Sequence, residues 1–557
     1  MRLQSARKSA VQAPRTQHIR LVNVPFLVIA IAALLFSSSA TATTNNNIYL
    51  AQASTGAANG ADCADALPYT YFNNSANWTS GTPTGLQIGP GTTVHLCGGF
   101  SFAAGTSGAL TVQGSGTSSS PIRVQFENGA TASAPYWGSG GFITMSGRGF
   151  IQIDGSPTST PCGYVNSRDV ACNGVIQATA NGASLANHVG NGHAIDLAVG
   201  DHDIEVRNIS CQNLFVPVQN SSNNETTAGV NNSACVWWLG GSGGGNINVH
   251  NNVINNSFNG VLLAYEGSNS GMHADNNWMT GIEVGVQEGA GGGGASISSG
   301  SINQNDFSNM ANWDAPGDAN HHEFIHLYTQ QSGATISNFT ISGNYFHGTL
   351  GATMTSEIYV ECDGGSSCSA PGGINVLEFN NVVVNEDSNA DISSGAGGNT
   401  MTECEGATCQ IYNNTYYSSS HFSTLNCAIH LEAGSVITVK NNIFSGMSCA
   451  IANGSGTVNA SSNLGYGLAT ACGSPCAASG NPDLNMASSP EFQLMNNASA
   501  AYDTGTNLTL LGIAALNTDQ LGVGRPAVGN WDLGAFQYGT SSGTQPNPPA
   551  NLQATLQ

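Results

Sequence analysis

The sequence predicts an all-β fold, a single-stranded right-handed parallel β-helix: a solenoid of irregular coils of about 25 to 35 residues with Asn-ladder turns. Three observations predict it. One short phrase recurs at coil-length intervals. The composition supplies strands and turns but very little charge. No long stretch carries the 3.6-residue apolar period of a helix.

The phrase is a β-rich stretch, an asparagine pair and two large residues. It reads Val249-His250-Asn251-Asn252-Val253-Ile254, then Ala274-Asp275-Asn276-Asn277-Trp278-Met279 and Glu378-Phe379-Asn380-Asn381-Val382-Val383. It returns as Ile411-Tyr412-Asn413-Asn414-Thr415-Tyr416 and Val439-Lys440-Asn441-Asn442-Ile443-Phe444, with weaker copies at Asn208, Asn305 and Asn344. Asn252 and Asn277 are 25 residues apart, and Asn414 and Asn442 are 28 apart. Asparagine tolerates the left-handed backbone of a tight bend. Stacked about 4.8 Å apart on successive coils, its amides can hydrogen-bond along the stack. A single coil cannot bury its apolar face, whereas stacked coils share one core.

The composition agrees. Of 557 residues only 8% are charged, 40% are hydrophobic and 71 are glycine. So apolar a chain is not disordered. Gly, Asn and Ser supply turns, and Val, Ile and Thr supply strands.

Residues 1–42 read as a signal peptide. Arg2, Arg7, Lys8, Arg15 and Arg20 precede an apolar run from Val24 to Phe36, and Ala40-Thr41-Ala42 suits signal peptidase. The run is short for a membrane span, and no later segment could cross a bilayer. Five of the 11 basic residues fall in this segment and all 33 acidic ones after it, so the remainder carries six bases against 33 acids, a net −27. That surface repels nucleic acid and anionic lipid. It also repels polyuronates unless cations intervene. The 14 cysteines fit an oxidising compartment. They fall into sequence-near couples: Cys63/Cys97, Cys162/Cys172, Cys211/Cys235, Cys362/Cys368, Cys404/Cys409, Cys427/Cys449 and Cys472/Cys476. Their spacing is not that of zinc ligands, and sequence leaves the connectivity open.

The repeated phrase resembles the right-handed parallel β-helix of pectin-lyase-like proteins, over roughly residues 48–538. The opening Asn47-Ile48-Tyr49-Leu50-Ala51, with Pro90-Gly91-Thr92-Thr93-Val94-His95-Leu96-Cys97-Gly98, is similar to the entry of secreted bacterial members. The stretch from Gly524-Arg525-Pro526 to Trp531-Asp532-Leu533-Gly534-Ala535-Phe536 resembles their usual last coil. The domain reading is therefore 1–42 signal peptide, 43–538 β-helix and 539–557 a Pro/Gly/Ser-rich tail. Pro548-Pro549-Ala550-Asn551-Leu552-Gln553-Ala554-Thr555 in that tail is similar to the first strand of a fibronectin type III module. The superfold hosts lyases, hydrolases, adhesins and structural fibres, so it assigns no reaction.

Aligning the strand before each phrase locates the candidate site. The strands read Ile325-His326-Leu327-Tyr328, Ile358-Tyr359-Val360-Glu361-Cys362-Asp363, Glu403-Cys404-Glu405 and Ile429-His430-Leu431-Glu432. With the aliphatics and Cys404 inward, one outward column holds His326, Tyr359, Glu403 and His430. Its neighbour holds Tyr328, Glu361, Glu405 and Glu432. Carboxylates can serve as acid, base or nucleophile in glycan cleavage. Coil spacings of about 4.8 and 9.6 Å bracket the retaining and inverting glycosidase geometries. The catalytic candidates are thus Glu361, Glu405, Glu432, Glu403, His326 and His430, with Tyr328, Tyr359 and Trp238 as sugar platforms. A calcium site using Glu361, Asp363 and Glu405 is one alternative, and an inert acidic face is another.

His322-Glu323-Phe324-Ile325-His326 matches the zinc-protease HExxH pattern, which requires a helix. In a strand the two histidines lie about 13 Å apart. The wider phrase from Asn320 to Tyr328 resembles a strand of uncharacterised secreted β-helix proteins, with Phe324 where Gly is expected. Polysaccharide lyases of the fold need a Lys or Arg base. After residue 42 the chain keeps only Lys440, Arg123, Arg148, Arg168, Arg207 and Arg525, and Lys440 and Arg207 are about seven coils apart. The polygalacturonase motifs are missing in order; Gly192-His193-Ala194 departs from Gly-His-Gly. The Gly-rich run 289–294 lacks a following helix and Lys, so it is a loop rather than a phosphate cradle.

The functional expectation is a secreted, carbohydrate-active monomer, extracellular or at the cell surface. It is a hydrolase of a neutral or weakly charged polysaccharide, with no cofactor certain and Ca²⁺ as the candidate. The alternatives are a non-catalytic glycan-binding, adhesin or structural protein, and a Ca²⁺-dependent polysaccharide lyase.

Overall fold

A computed structural model describes residues 46–539, except 159, 182–190, 215–232, 242–243, 264–266, 311–321, 351–353, 363–372, 386–399, 419–426 and 488–489. The signal-peptide segment, the tail beyond residue 539 and the proposed calcium ligand Asp363 lie outside the described residues.

The described chain is a right-handed parallel β-helix with three sheets, S1 to S3. S1 runs from Asn47–Ala51 through Ile122–Phe126, His202–Arg207 and Ile374–Phe379 to Thr457–Ser461. S2 includes Asp306–Ser308, Tyr345–His347 and Val382–Asn385. S3 includes Glu323–Thr329, Ser356–Cys362, Thr400–Glu405 and Cys427–Leu431. The long strands Val253–Leu263 and Trp278–Ala290 pass from S2 into S3. Ladder pairing between coils is parallel, so each coil adds one strand to each sheet.

The core is continuous along the stack. Inward columns such as Val249, Ala274, Ile302 and Ile341 are completely buried. Phe72 and Trp78 sit against its N-terminal end, with the Trp78 indole donating to the Phe72 carbonyl. No helix among the described residues is long and apolar enough to cross a membrane.

The bend between S1 and S2 explains the asparagine pairs. The first member takes positive φ: 56° at Asn251, 58° at Asn276, 56° at Asn380 and 54° at Asn413. The second points inward and bonds the next coil. Asn252 Nδ2 donates to Asn277 Oδ1 at 3.0 Å, and the relation repeats from Asn277 to Asn305, Asn344, Asn381, Asn414, Asn442 and Asn463. Each of these Oδ1 atoms also accepts the backbone N–H of the preceding asparagine, as Asn414 Oδ1 does from Asn381 at 2.8 Å. A buried amide satisfied on both sides escapes the desolvation cost of an unpaired one.

Six of the cysteine couples are disulfides: 63–97, 162–172, 211–235, 404–409, 427–449 and 472–476. Cys362 is disulfide-bonded too.

One expectation needs correction. The stretch around Trp531 is not a further coil. The last S2 strand is Cys476–Ala478, and the following segment folds back along the stack. Leu508, Leu516 and Trp531 pack on Phe379 and Tyr412 of S1, while Phe492, Ala535 and Phe536 pack on Val382 and Val384 of S2. Buried Arg525 fixes it by donating to Asn380 Oδ1 and to the Asp532 and Gly534 carbonyls. These apolar residues cover faces that would otherwise be wet, which is the stronger driving force.

Candidate active site

The S3 register sets the two columns side by side. His326 pairs with Tyr359, Tyr359 with Glu403 and Glu403 with His430. Tyr328 pairs with Glu361 and Glu361 with Glu405. Glu432 continues the second column, its N–H donating to the Cys404 carbonyl. Gln287 precedes the first column and Ala452 ends it, so the acid, imidazole and phenol content is local to four coils.

The side chains pair within and across the columns. His326 Nε2 lies 2.9 Å from Glu361 Oε1, and its ring stacks on Tyr359 at 5.4 Å. Tyr359 donates to Glu405 Oε2 at 2.8 Å. His430 Nδ1 lies 3.1 Å from Glu403 Oε1, and its Nε2 lies 3.6 Å from Glu432 Oε1. Burial raises the Glu403 carboxyl above its usual range, against the pull of His430. The hydrogen bond that His430 donates to Glu403 raises its pKa, favouring the imidazolium. Burial and three neighbouring glutamates raise Tyr359, which stays a neutral donor.

The face is less open than an outward column implies. Tyr328, Tyr359, His326, Glu361 and Glu403 are all buried, whereas Glu405, His430 and Glu432 are part-exposed. Crowding explains it: rings and carboxylates on adjacent strands cover one another at coil spacing. Of the eight column residues, Glu405, His430 and Glu432 are the ones that reach solvent.

Trp238 is a correction. It is wholly buried, and its indole N–H donates to the Ala198 carbonyl at 3.0 Å. It belongs to the core column Leu197, Trp238, Leu263 and has no surface for a sugar. Trp237 stacks on His193 at 4.7 Å instead.

The HExxH residues lie on or beside the strand Glu323–Thr329. The histidines face different carboxylates: His322 meets Glu283 at 2.7 Å, and His326 meets Glu361. Sequence reasoning did not foresee Glu283, since it lies in the long strand Trp278–Ala290, outside the aligned segments. Arg207 and Lys440 both lie on S1, seven strands apart, and Arg207 is engaged by Asp154 and Glu205. Neither reaches the S3 columns through its own sheet.

Glu403, His430 and Glu432 each offer a donor atom, all within 4.8 Å of one another. A set that includes imidazole suits a transition cation better than calcium, which takes six to eight oxygens.

No protein-family model and no curated protein matches the chain. A solved pectate lyase does. The crystal structure of pectate lyase Pel9A matches 88% of this chain and 96% of that one, with 12% sequence identity and a TM-score of 0.40. At that identity, chemistry has to be read from the residues of each chain.

Proposed function

We propose that this is a secreted carbohydrate-active protein whose S3 columns cleave a neutral or weakly charged polysaccharide by hydrolysis. One observation carries the reading: the part-exposed Glu405 and His430 are each oriented by a buried partner, Tyr359 donating to Glu405 Oε2 and Glu403 lying 3.1 Å from His430 Nδ1. Glu405 acts as nucleophile or base, oriented by Tyr359. His430, backed by Glu403, exchanges the proton with the leaving oxygen. The acidic chain disfavours polyuronates, and a lyase lacks its base on this face.

The test is a screen of plant and microbial polysaccharides for reducing-end release, with Glu405→Gln and His430→Ala beside the parent protein. Release abolished in Glu405→Gln supports the assignment. Release unchanged by that substitution removes Glu405 from the chemistry.

A second reading also has an observation behind it. His326 and Glu361 are buried and bonded to each other, as in a structural pair. That favours a non-catalytic glycan-binding or structural protein, and binding without cleavage in the same screen selects it.

A further inference from the structure

A cavity of about 260 Å³ opens on S2, where three segments distant in sequence meet. One is the hairpin of Gly163–Tyr164 and Asp169–Val170, closed by Cys162–Cys172 and anchored by the Tyr164 N–H on the Asn276 carbonyl. The second is the S2 surface at Asp306, Tyr345 and His347. The third is the returning segment at Glu491, Gln520 and Phe536. Gln520 locks it down by donating to the Gly343 carbonyl at 2.9 Å.

The polar groups are held in place. His347 Nε2 lies 3.0 Å from both oxygens of buried Asp306. Burial raises the Asp306 carboxyl, while His347 works to lower it. Burial disfavours the His347 imidazolium, but the Asp306 bond and charge outweigh that and raise it. Tyr345 stacks on His347 at 4.2 Å and donates to Glu491 Oε2 at 3.0 Å. Arg168 and Asp169 are the exposed lining residues.

We infer that this cavity binds one uncharged sugar ring, separately from the S3 columns. At about 30 Å³ per water it holds roughly nine waters, the scale of a single ring. Tyr164, Tyr345 and Phe536 supply apolar faces for sugar C–H surfaces. The carboxylates have lone pairs left for ligand hydroxyls. Three carboxyl groups face one arginine and one histidine, which disfavours an anion. An apolar ligand would strip water from those carboxylates without replacing its hydrogen bonds.

The test is ligand-observed NMR and calorimetry on the full chain. The probes are the methyl glycosides of glucose, galactose, mannose and xylose, methyl galacturonoside and methylammonium. Expected is binding of at least one neutral glycoside, at least tenfold weaker in Tyr345→Phe and in Glu491→Gln. Galacturonoside should bind at least tenfold more weakly than galactoside. The inference is overturned if no neutral glycoside binds, if both pocket variants bind like the parent, or if methylammonium binds in their place. Polysaccharide cleavage is a separate readout, so loss of one conclusion leaves the other standing.

Discussion

The Tyr359 hydroxyl donates to Glu405 Oε2 at 2.8 Å, tying two coils of S3 at the point where the buried columns reach solvent. A hydrogen bond to a charged group contributes about 1.5–3 kcal/mol. Tyr359→Phe should therefore lower kcat on the identified polysaccharide roughly 10- to 100-fold and leave KM within about threefold. Steady-state kinetics checks this. Parent-like kcat in a folded Tyr359→Phe protein would show that the phenol does not assist Glu405.

Carboxyls inside the solenoid set a pH dependence. Burial pushes Glu357 up to about 8 and Glu378 up to about 7, with Tyr416 and Thr402 donating to Glu378. Unfolded, both titrate near 4.3. Between about pH 4 and 8 the folded protein holds protons that the unfolded chain has released. Stability should thus fall as pH rises through that window and level off above it. Urea midpoints at pH 5 and 8.5 should show it. Glu357→Gln should shrink the difference by about 3–5 kcal/mol. An unchanged difference would mean that Glu357 does not ionise across the window.

Asn381 donates to the Ile341 carbonyl and Asn414 Oδ1, and accepts from the Asn344 backbone and side chain. Asn381→Ala should cost about 2–4 kcal/mol, because its neighbours stay buried with groups unpaired. Asn381→Asp should cost more, since it faces one acceptor with another. Thermal unfolding ranks the variants. Equal melting temperatures for Asn381→Asp and the parent would refute a structural role for the column.

Trp238→Phe should lower stability by about 1–3 kcal/mol through lost contact and the orphaned Ala198 carbonyl. Glycan affinity should stay within twofold. A larger fall in affinity than in stability would restore Trp238 to a binding role.

The S1–S2 bend and the S3 columns were legible because both repeat in register, and a repeat makes spatial neighbours out of residues far apart in sequence. Asn463 is hidden in the sequence because Ser462 replaces the first asparagine of the pair, although Ser462 also takes positive φ, at 57°. The inward turn of Trp238 is not legible, because alternation alone does not say which of two adjacent tryptophans points inward. The S2 cavity was illegible for another reason. Asp306 and Tyr345 do follow aligned asparagines, but Tyr164 and Glu491 reach them from segments outside the repeat.

The returning segment has a consequence for synthesis. Gln520 and Arg525 clasp Gly343 and Asn380, coils made well over a hundred residues earlier. Phe379, Tyr412, Val382 and Val384 therefore keep bare apolar surface on a nascent chain until residues 492–536 have left the ribosome. The coils can stack one by one, but the finished surface is sealed late. The interval before sealing is when the protein is most exposed to aggregation and most in need of a chaperone.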